Sequence, residues 1–282
     1  MAISIAHLGP AGTYAEAAAL ASINWLTPNG EDAILCPYPS IAQTMMAASE
    51  QKAHYAVVPV ENSIEGSVTM TLDNLWQLDN LQIQRALVLP ISHALLSYAE
   101  KLEEIQAVYS HPQALAQCQK WLDSALPTAQ LIAANSTTEA LQHLGEDRTI
   151  AAISSQRAAQ LYNLPILANP INDYPDNRTR FIVLSLEPSP GGTHTSLAFG
   201  ISANQPGRLV KPLQVFAQRN INLTRIESRP TRRTPGTYHF FLDLQADARQ
   251  FPIQSALEEL KRHTETLKIF GSYDVMAIDS VQ

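Results

Sequence analysis

Residues 187–195 read EPSPGGTHT, and this stretch divides the chain. Two prolines, two glycines and small polar residues sustain neither a helix nor a central strand, so it reads as a linker. The charge balance changes sign across it. Residues 1–187 carry eight Lys/Arg against eighteen Asp/Glu, a net −10, whereas residues 188–282 carry eleven against eight, a net +3. The organisation read from this is a body over 1–187, a linker over 188–194 and a separate module over 195–282.

Downstream of the linker, TSLAFGIS is strand-like and PGRLVKPLQVFAQRN is an amphipathic helix. NLTRIESRP and TYHFFLDLQA are strands joined by a basic Pro/Gly turn, FPIQSALEELKRHT is a helix, and LKIFGSYDVMA is a last strand. The order βαββαβ is ferredoxin-like. Pro212 falls in the early turns of the first helix, where a missing N–H does least damage.

Upstream, strand-like and helix-like segments alternate. ISIAH (3–7) leads through GPAGTY into an Ala-rich helix, where Thr13 and Glu16 have capping-box spacing. AHYAVVPV (53–60) is followed by ENSIEGS and a helix from about Val68. LQIQRALVLP and ISHALLSY are extended. AVYS (107–110) runs into HPQALAQCQKWL, a helix entered through Pro112, and AQLIAAN into STTEALQHL, with Ser136 and Glu139 repeating the capping box. TIAAIS and SQRAAQLY form a last pair. This alternation predicts an α/β fold with a largely parallel sheet. Ligands of such sheets bind beyond the carboxyl ends of strands, where helix N-termini also offer N–H donors to anions. One cleft is therefore expected from the junctions at Gly9–Tyr14, Glu61–Ser67, His111–Gln113 and Asn135–Thr138, with NRTR (177–180) on its rim.

The totals narrow the function classes. A length of 282 residues is long for one core, and 45% hydrophobic with 16% charged residues describes a soluble globular protein. No apolar run reaches membrane-spanning length, and the start lacks the pattern of a secretory signal. Two cysteines, Cys36 and Cys118, make no disulfide framework or metal cluster and fit a reducing, cytoplasmic setting. An acidic body argues against nucleic acid. An anionic substrate would need a local positive cluster, and Arg178 and Arg180 are two of five arginines in the first 187 residues.

Each motif alone also has a purely structural reading. GPAGTY lacks the Lys-Ser/Thr of a phosphate loop and can be a tight turn into a capped helix. Asn-Ser in VPVENS is common turn chemistry. His111 has no second histidine at metal-ligand spacing, which argues against a metal site. Cys118 lies on an apolar helix face and reads as core. The charged residues of ESRP (227–230) and NRTRF can be solvated strand ends.

Together the motifs say more. GPAGTYAE, VPVENSIEGSVTMTLDNL, SHPQALAQC and NRTRFIVL occur in this order ahead of a βαββαβ module containing ESRP. The combination resembles prephenate dehydratase with a C-terminal ACT regulatory domain, over nearly the whole chain. The resemblance implies a catalytic part of two α/β lobes around a cleft, similar in plan to periplasmic binding proteins. It implies loss of CO2 and water from prephenate to give phenylpyruvate, a step of phenylalanine biosynthesis that needs no cofactor and no metal. It places the essential threonine at Thr179 and makes Arg180, Glu61 and Asn62 further catalytic residues. Ser63, Gln113, Ser136, Thr137 and Arg178 are substrate-binding candidates. It also implies a homodimer or homotetramer, with L-phenylalanine as effector held by Gly207, Leu209, Glu227, Ser228, Arg229 and Pro230. Arg208 departs from the small residue of that pattern. Arogenate dehydratase and a non-catalytic amino-acid sensor remain the alternatives.

Overall fold

The computed structural model describes residues 2–28, 30–145, 147–201, 206–231 and 236–278. The first lobe is built from β1 (Ile3–Leu8), α1 (Tyr14–Leu26), β2 (Ala33–Tyr38), α2 (Ile41–Ser49), β3 (Tyr55–Asn62), the short β4 (Gly66–Ser67), α3 (Thr69–Gln77) and β5 (Gln82–Pro90). The second holds β6 (His93–Leu96), β7 (Ala107–Ser110), α4 (Pro112–Gln117), α5 (Gln119–Ala125), β8 (Gln130–Ala133), β9 (Ile150–Ser155), α6 (Gln156–Leu161) and β10 (Ile166–Ala168). β11 (Arg178–Ser185) then returns to the first lobe. The chain therefore crosses between lobes twice, once ahead of His93 and once ahead of Arg178.

That return makes the first-lobe sheet mixed, and the second-lobe sheet is mixed as well. β1 pairs in parallel with β2 and β3, but β11 runs antiparallel between β3 and β5. In the second lobe the order is β10-β6-β9-β7-β8, with β7 parallel to both β8 and β9 and β6 antiparallel to β9.

Local sequence accounts for the helix starts. The Thr13 hydroxyl accepts the Glu16 N–H at 3.3 Å, half of the expected capping box. The Glu16 carboxylate reaches Gly12 N–H at 2.8 Å and Arg157 of the second lobe at 2.8 Å, so its partners lie beyond the cap. The single helix expected over HPQALAQCQKWL is broken at Cys118, because the Asp173 carboxylate accepts the N–H groups of Lys120 and Trp121 at 2.9 and 3.0 Å and starts a new helix there. STTEALQHL forms a 3-10 helix over Glu139–His143, with Ser136 Oγ accepting Glu139 N–H at 2.9 Å. β2 escapes a sequence reading because Pro37 interrupts it. An edge strand tolerates a proline, and β2 is the edge.

The C-terminal module contains β12 (His194–Gly200), α7 (Val210–Ala217), β13 (Leu223–Pro230), β14 (Tyr238–Leu244), α8 (Phe251–Lys261) and β15 (Thr266–Ala277), the predicted βαββαβ order in an antiparallel sheet. Pro212 is the third residue of α7, among the N–H positions that have no partner within a helix.

The last strand does something the pattern does not announce. Its first part pairs with β12, and residues 274–277 pair in parallel with Arg85–Val88 of β5. β15 stays with β12 through Tyr273 and changes partner at Asp274, just after a register shift beside Gly271, whose φ is +127° and whose added Cβ would sit 2.9 Å from the Ile83 carbonyl oxygen. The two domains thus share one ten-stranded sheet. They also share a core, in which Leu72, Leu75 and Ile83 of the first lobe pack with Phe241, Phe270 and Tyr273 of the module.

Candidate active site

A cleft of about 370 Å³ lies between the two lobes. All four polar junctions reach it, through Gly9, Thr13 and Tyr14, through Asn62, through His111 and Gln113, and through Asn135, Ser136 and Thr137. Leu8, Ile41, Pro59, Val68 and Phe181 supply an apolar side. Thr179 lines the cleft from β11.

Strand alternation sorts the NRTRF residues. Thr179 lies opposite Asn62 in the β11–β3 register and Arg180 opposite Glu61. Successive side chains of a strand point to opposite faces. Thr179 and Asn62 therefore share the cleft face, while Arg180 and Glu61 share the other.

On the cleft face every hydrogen bond has an assigned direction. Asn62 Oδ1 accepts the backbone N–H groups of Ile64 and Glu65 at 3.0 and 3.1 Å, which fixes the amide. Asn62 Nδ2 must then donate, and it does so to Thr179 Oγ1 at 2.8 Å and to Asn177 Oδ1 at 2.9 Å. Asn177 Nδ2 donates to Gln117 Oε1 at 2.8 Å. Ser63, a predicted binding residue, stands behind this row, donating to Asn177 Oδ1 at 3.2 Å and accepting Arg178 N–H at 2.9 Å. Since Thr179 Oγ1 accepts from Asn62, its own hydrogen is available, and no acceptor for it occurs among the described residues.

The other face is ionic. The Arg180 guanidinium pairs with Asp243 of β14 and lies 3.1 Å from Glu61. Asp243 is 0% exposed and also takes Arg225 Nε at 2.9 Å and the Ser196 hydroxyl at 2.5 Å. Burial alone would raise the Asp243 carboxyl, but Arg225 and Arg180 hold it down at about 2. Arg180 and Glu61, expected among the catalytic groups, thus face the domain junction. Arg178 is exposed and does not line the cleft.

The described cleft lining therefore contains no lysine or arginine, and an anion entering it meets helix N-termini, hydroxyls, amides and two histidines. Burial lowers the pKa of both. Glu65 partly offsets this at His111 and a hydrogen bond with Gln117 does so at His93. His93 was missed by the sequence reading, because ISHALLSY reads as strand and a histidine near a strand start carries no motif. Cys118 is buried beside the cleft wall, which pushes its thiol up to about 12 and leaves it a core residue.

In the module the ESRP strand also divides by face. Glu227 takes the Ser67 hydroxyl at 3.1 Å, and Arg229 grips Asp73 of α3 at 3.0 and 2.9 Å, so both side chains face the first lobe. Ser228 and Pro230 are exposed. Gly207, with φ +77°, and Leu209 stand at the entry to α7.

The comparisons with known proteins agree with this layout. The prephenate dehydratase family model matches residues 5–189, and the ACT domain model matches residues 195–262. A bifunctional chorismate mutase/prephenate dehydratase of Aquifex aeolicus is 41% identical over 274 residues, covering 96% of this chain and 73% of that protein. A prephenate dehydratase of Mycobacterium sp. (strain JLS) is 39% identical over 278 residues, covering 95% of this chain and 88% of that one. The crystal structure of prephenate dehydratase from Arthrobacter aurescens, solved with L-Phe, has a TM-score of 0.84 and 34% identity, covering 96% of this chain and 90% of that one. Two lobes around a polar cleft, an appended regulatory fold and these matches lead to one conclusion: the chain belongs to the prephenate dehydratase family.

Proposed function

We propose that the chain converts prephenate to phenylpyruvate in this cleft, as a carbon–oxygen lyase of phenylalanine biosynthesis. The ring carboxylate leaves as CO2, and its bonding electrons pass through the ring and expel the hydroxyl at the opposite carbon. The ring becomes aromatic, which supplies the driving force, and the electrons need no external sink. One proton is consumed, since the departing oxygen leaves as water.

The observation that carries this reading is Thr179, a hydroxyl on the cleft wall whose oxygen is already committed to Asn62 and whose hydrogen is not. It donates to the leaving oxygen and orients it. The apolar side formed by Leu8, Ile41, Pro59, Val68 and Phe181 suits the ring, and it avoids over-stabilising a carboxylate that must depart. With no guanidinium in the described lining, the side-chain carboxylate is held by Gln113, Ser136 and Thr137 together with backbone N–H groups at the helix starts. Arg180 and Glu61 act from behind, by fixing β11 and β3. The C-terminal module confers inhibition by L-phenylalanine in a cytoplasmic homo-oligomer, with Gly207, Leu209, Ser228 and Pro230 facing the effector.

The test is phenylpyruvate formation from prephenate by the purified chain, with arogenate run in parallel. Turnover of prephenate is expected. Faster turnover of arogenate would move the assignment to the amino analogue. A folded chain inert toward both, yet binding phenylalanine by calorimetry, would make it a sensor.

A further inference from the structure

The amide row that serves Thr179 does not end at Asn177. Gln117 Oε1, which accepts from Asn177, also lies 3.1 Å from His93 Nε2. Because Asn62 is fixed by two backbone N–H groups, each amide downstream has one permitted orientation, and Gln117 presents its carbonyl oxygen to the imidazole. Two lone pairs would repel there, so His93 carries its hydrogen on Nε2 and leaves Nδ1 bare. His93 is 4% exposed and is one of the residues lining the cleft, and its Nδ1 is buried with no hydrogen-bond partner among the described residues. Leaving a buried nitrogen unsatisfied is costly, and such a cost calls for a functional reason.

The surroundings supply one. The reaction consumes a proton, and a dianion occupies a described wall whose cationic candidates are His93 and His111. His111 Nδ1 already accepts the Gln113 N–H at 3.2 Å as a helix cap, whereas His93 Nδ1 is uncommitted. Around His93, the Tyr14 ring meets it edge-on at 6.2 Å with its hydroxyl given to the Ser92 carbonyl oxygen. Glu65 reaches Gln117 Nε2 at 3.5 Å, Asp173 is held by the N–H groups of Lys120 and Trp121, and His111 shares the wall. No cation in this set competes for the proton.

We propose that His93, through Nδ1, supplies the proton that leaves with the substrate hydroxyl, while Thr179 orients that oxygen. The substrate's two negative charges draw a proton onto Nδ1 when it binds. In the reaction the Nδ1–H bond breaks and an O–H bond forms on the departing oxygen as the carbon–oxygen and carbon–carboxylate bonds break. Water and CO2 leave, and neutral His93 regains its proton from solvent. Nε2–H remains with Gln117 throughout, so the row holding Thr179 is undisturbed by the cycle.

This inference rests on the proposed dehydratase reading, and its test separates the two. Wild type and His93→Gln are assayed with prephenate from pH 5.5 to 9. The glutamine amide keeps a donor toward Gln117 but cannot titrate. The expected result is a kcat about 100-fold lower with KM within about threefold, and loss of the decline that the wild type shows toward high pH. A His93→Gln enzyme within about threefold of wild-type kcat overturns the proposal. So does a slow variant that keeps the wild-type pH profile, since that marks a structural role alone. A wild type inert toward prephenate would instead remove the dehydratase reading beneath it. Should the variant not fold, nitrogen NMR of the 15N-histidine-labelled wild type decides. Hydrogen on Nε2 and none on Nδ1 in the free chain supports the proposal, and the opposite tautomer overturns it.

Discussion

The two faces of β11 carry opposite solutions to burying polar groups. Toward the cleft, Thr179, Asn62, Asn177 and Gln117 form a row of neutral groups whose directions descend from two backbone N–H donors. Toward the C-terminal module, Arg180, Glu61, Asp243 and Arg225 form a buried ionic cluster. The difference teaches what each face is for. A neutral row positions a hydroxyl without setting a strong field against an incoming dianion. An ionic cluster fixes which surfaces meet, and it tolerates poorly the loss of any member. Thr179 and Arg180 are adjacent in sequence, so, with Thr179 in its proposed role, one strand ties the chemistry to the joint with the C-terminal module.

If the faces are that distinct, substitutions on them should separate activity from stability. Thr179→Ala is expected to lower kcat by about 10²- to 10⁴-fold with little change in unfolding midpoint, and Thr179→Ser to recover part of the loss. A kcat within threefold of wild type would break the division at its strongest point. Asp243→Asn should do the reverse. It leaves Arg180 and Arg225 beside a neutral amide, and removing one partner of a buried ionic set costs about 3–5 kcal/mol. Urea titration reads that loss. An unchanged midpoint would mean that water or Glu61 already compensates the two guanidinium groups.

How much of this was legible in sequence follows from the range of the interactions involved. The βαββαβ order and the four polar junctions depend on local composition and periodicity, and they read directly. The roles within NRTRF depend on strand register. The string shows that two arginines flank a threonine, but not that β3 pairs with β11 so as to put Thr179 with Asn62 on one side and Arg180 with Glu61 on the other. An expectation that both arginines rim the cleft follows from treating the loop as a cluster, and alternation turns both away from the face that carries Thr179. The passage of β15 into the first lobe, and the buried Asp243 beneath it, join residues more than sixty positions apart and leave no local mark. His93 was hidden for a related reason, since its partner Gln117 comes from a helix 24 residues away.

Acid should act on the ionic face before the neutral one. The folded Asp243 carboxyl is lowered from 3.8 to about 2. A group depressed in this way adds stability above its unfolded pKa and loses it as pH falls through the folded value. The contribution is about 2 kcal/mol, present above about pH 4 and lost on the way to pH 2. The stability gap between wild type and Asp243→Asn should accordingly narrow over that window, as measured by urea unfolding at stepped pH. A gap constant down to pH 2 would show that the carboxylate is not the group that matters.

The smallest effect tests where the ionic face ends. Arg229 sits in the ESRP string that the family resemblance assigns to the effector, yet its guanidinium grips Asp73 of α3 with two bonds. Its side chain is 16% exposed, so the pair is partly screened and contributes about 1 kcal/mol. If Arg229 belongs to the joint, Arg229→Ala should lose about that much stability and bind phenylalanine within a few-fold of wild type by calorimetry. Ser228, exposed on the opposite side of the same strand, would then be the position at which a bulky substitution blocks binding. The converse, with Arg229→Ala abolishing binding at unchanged stability, would extend the effector site across the strand and end the separation of its two faces.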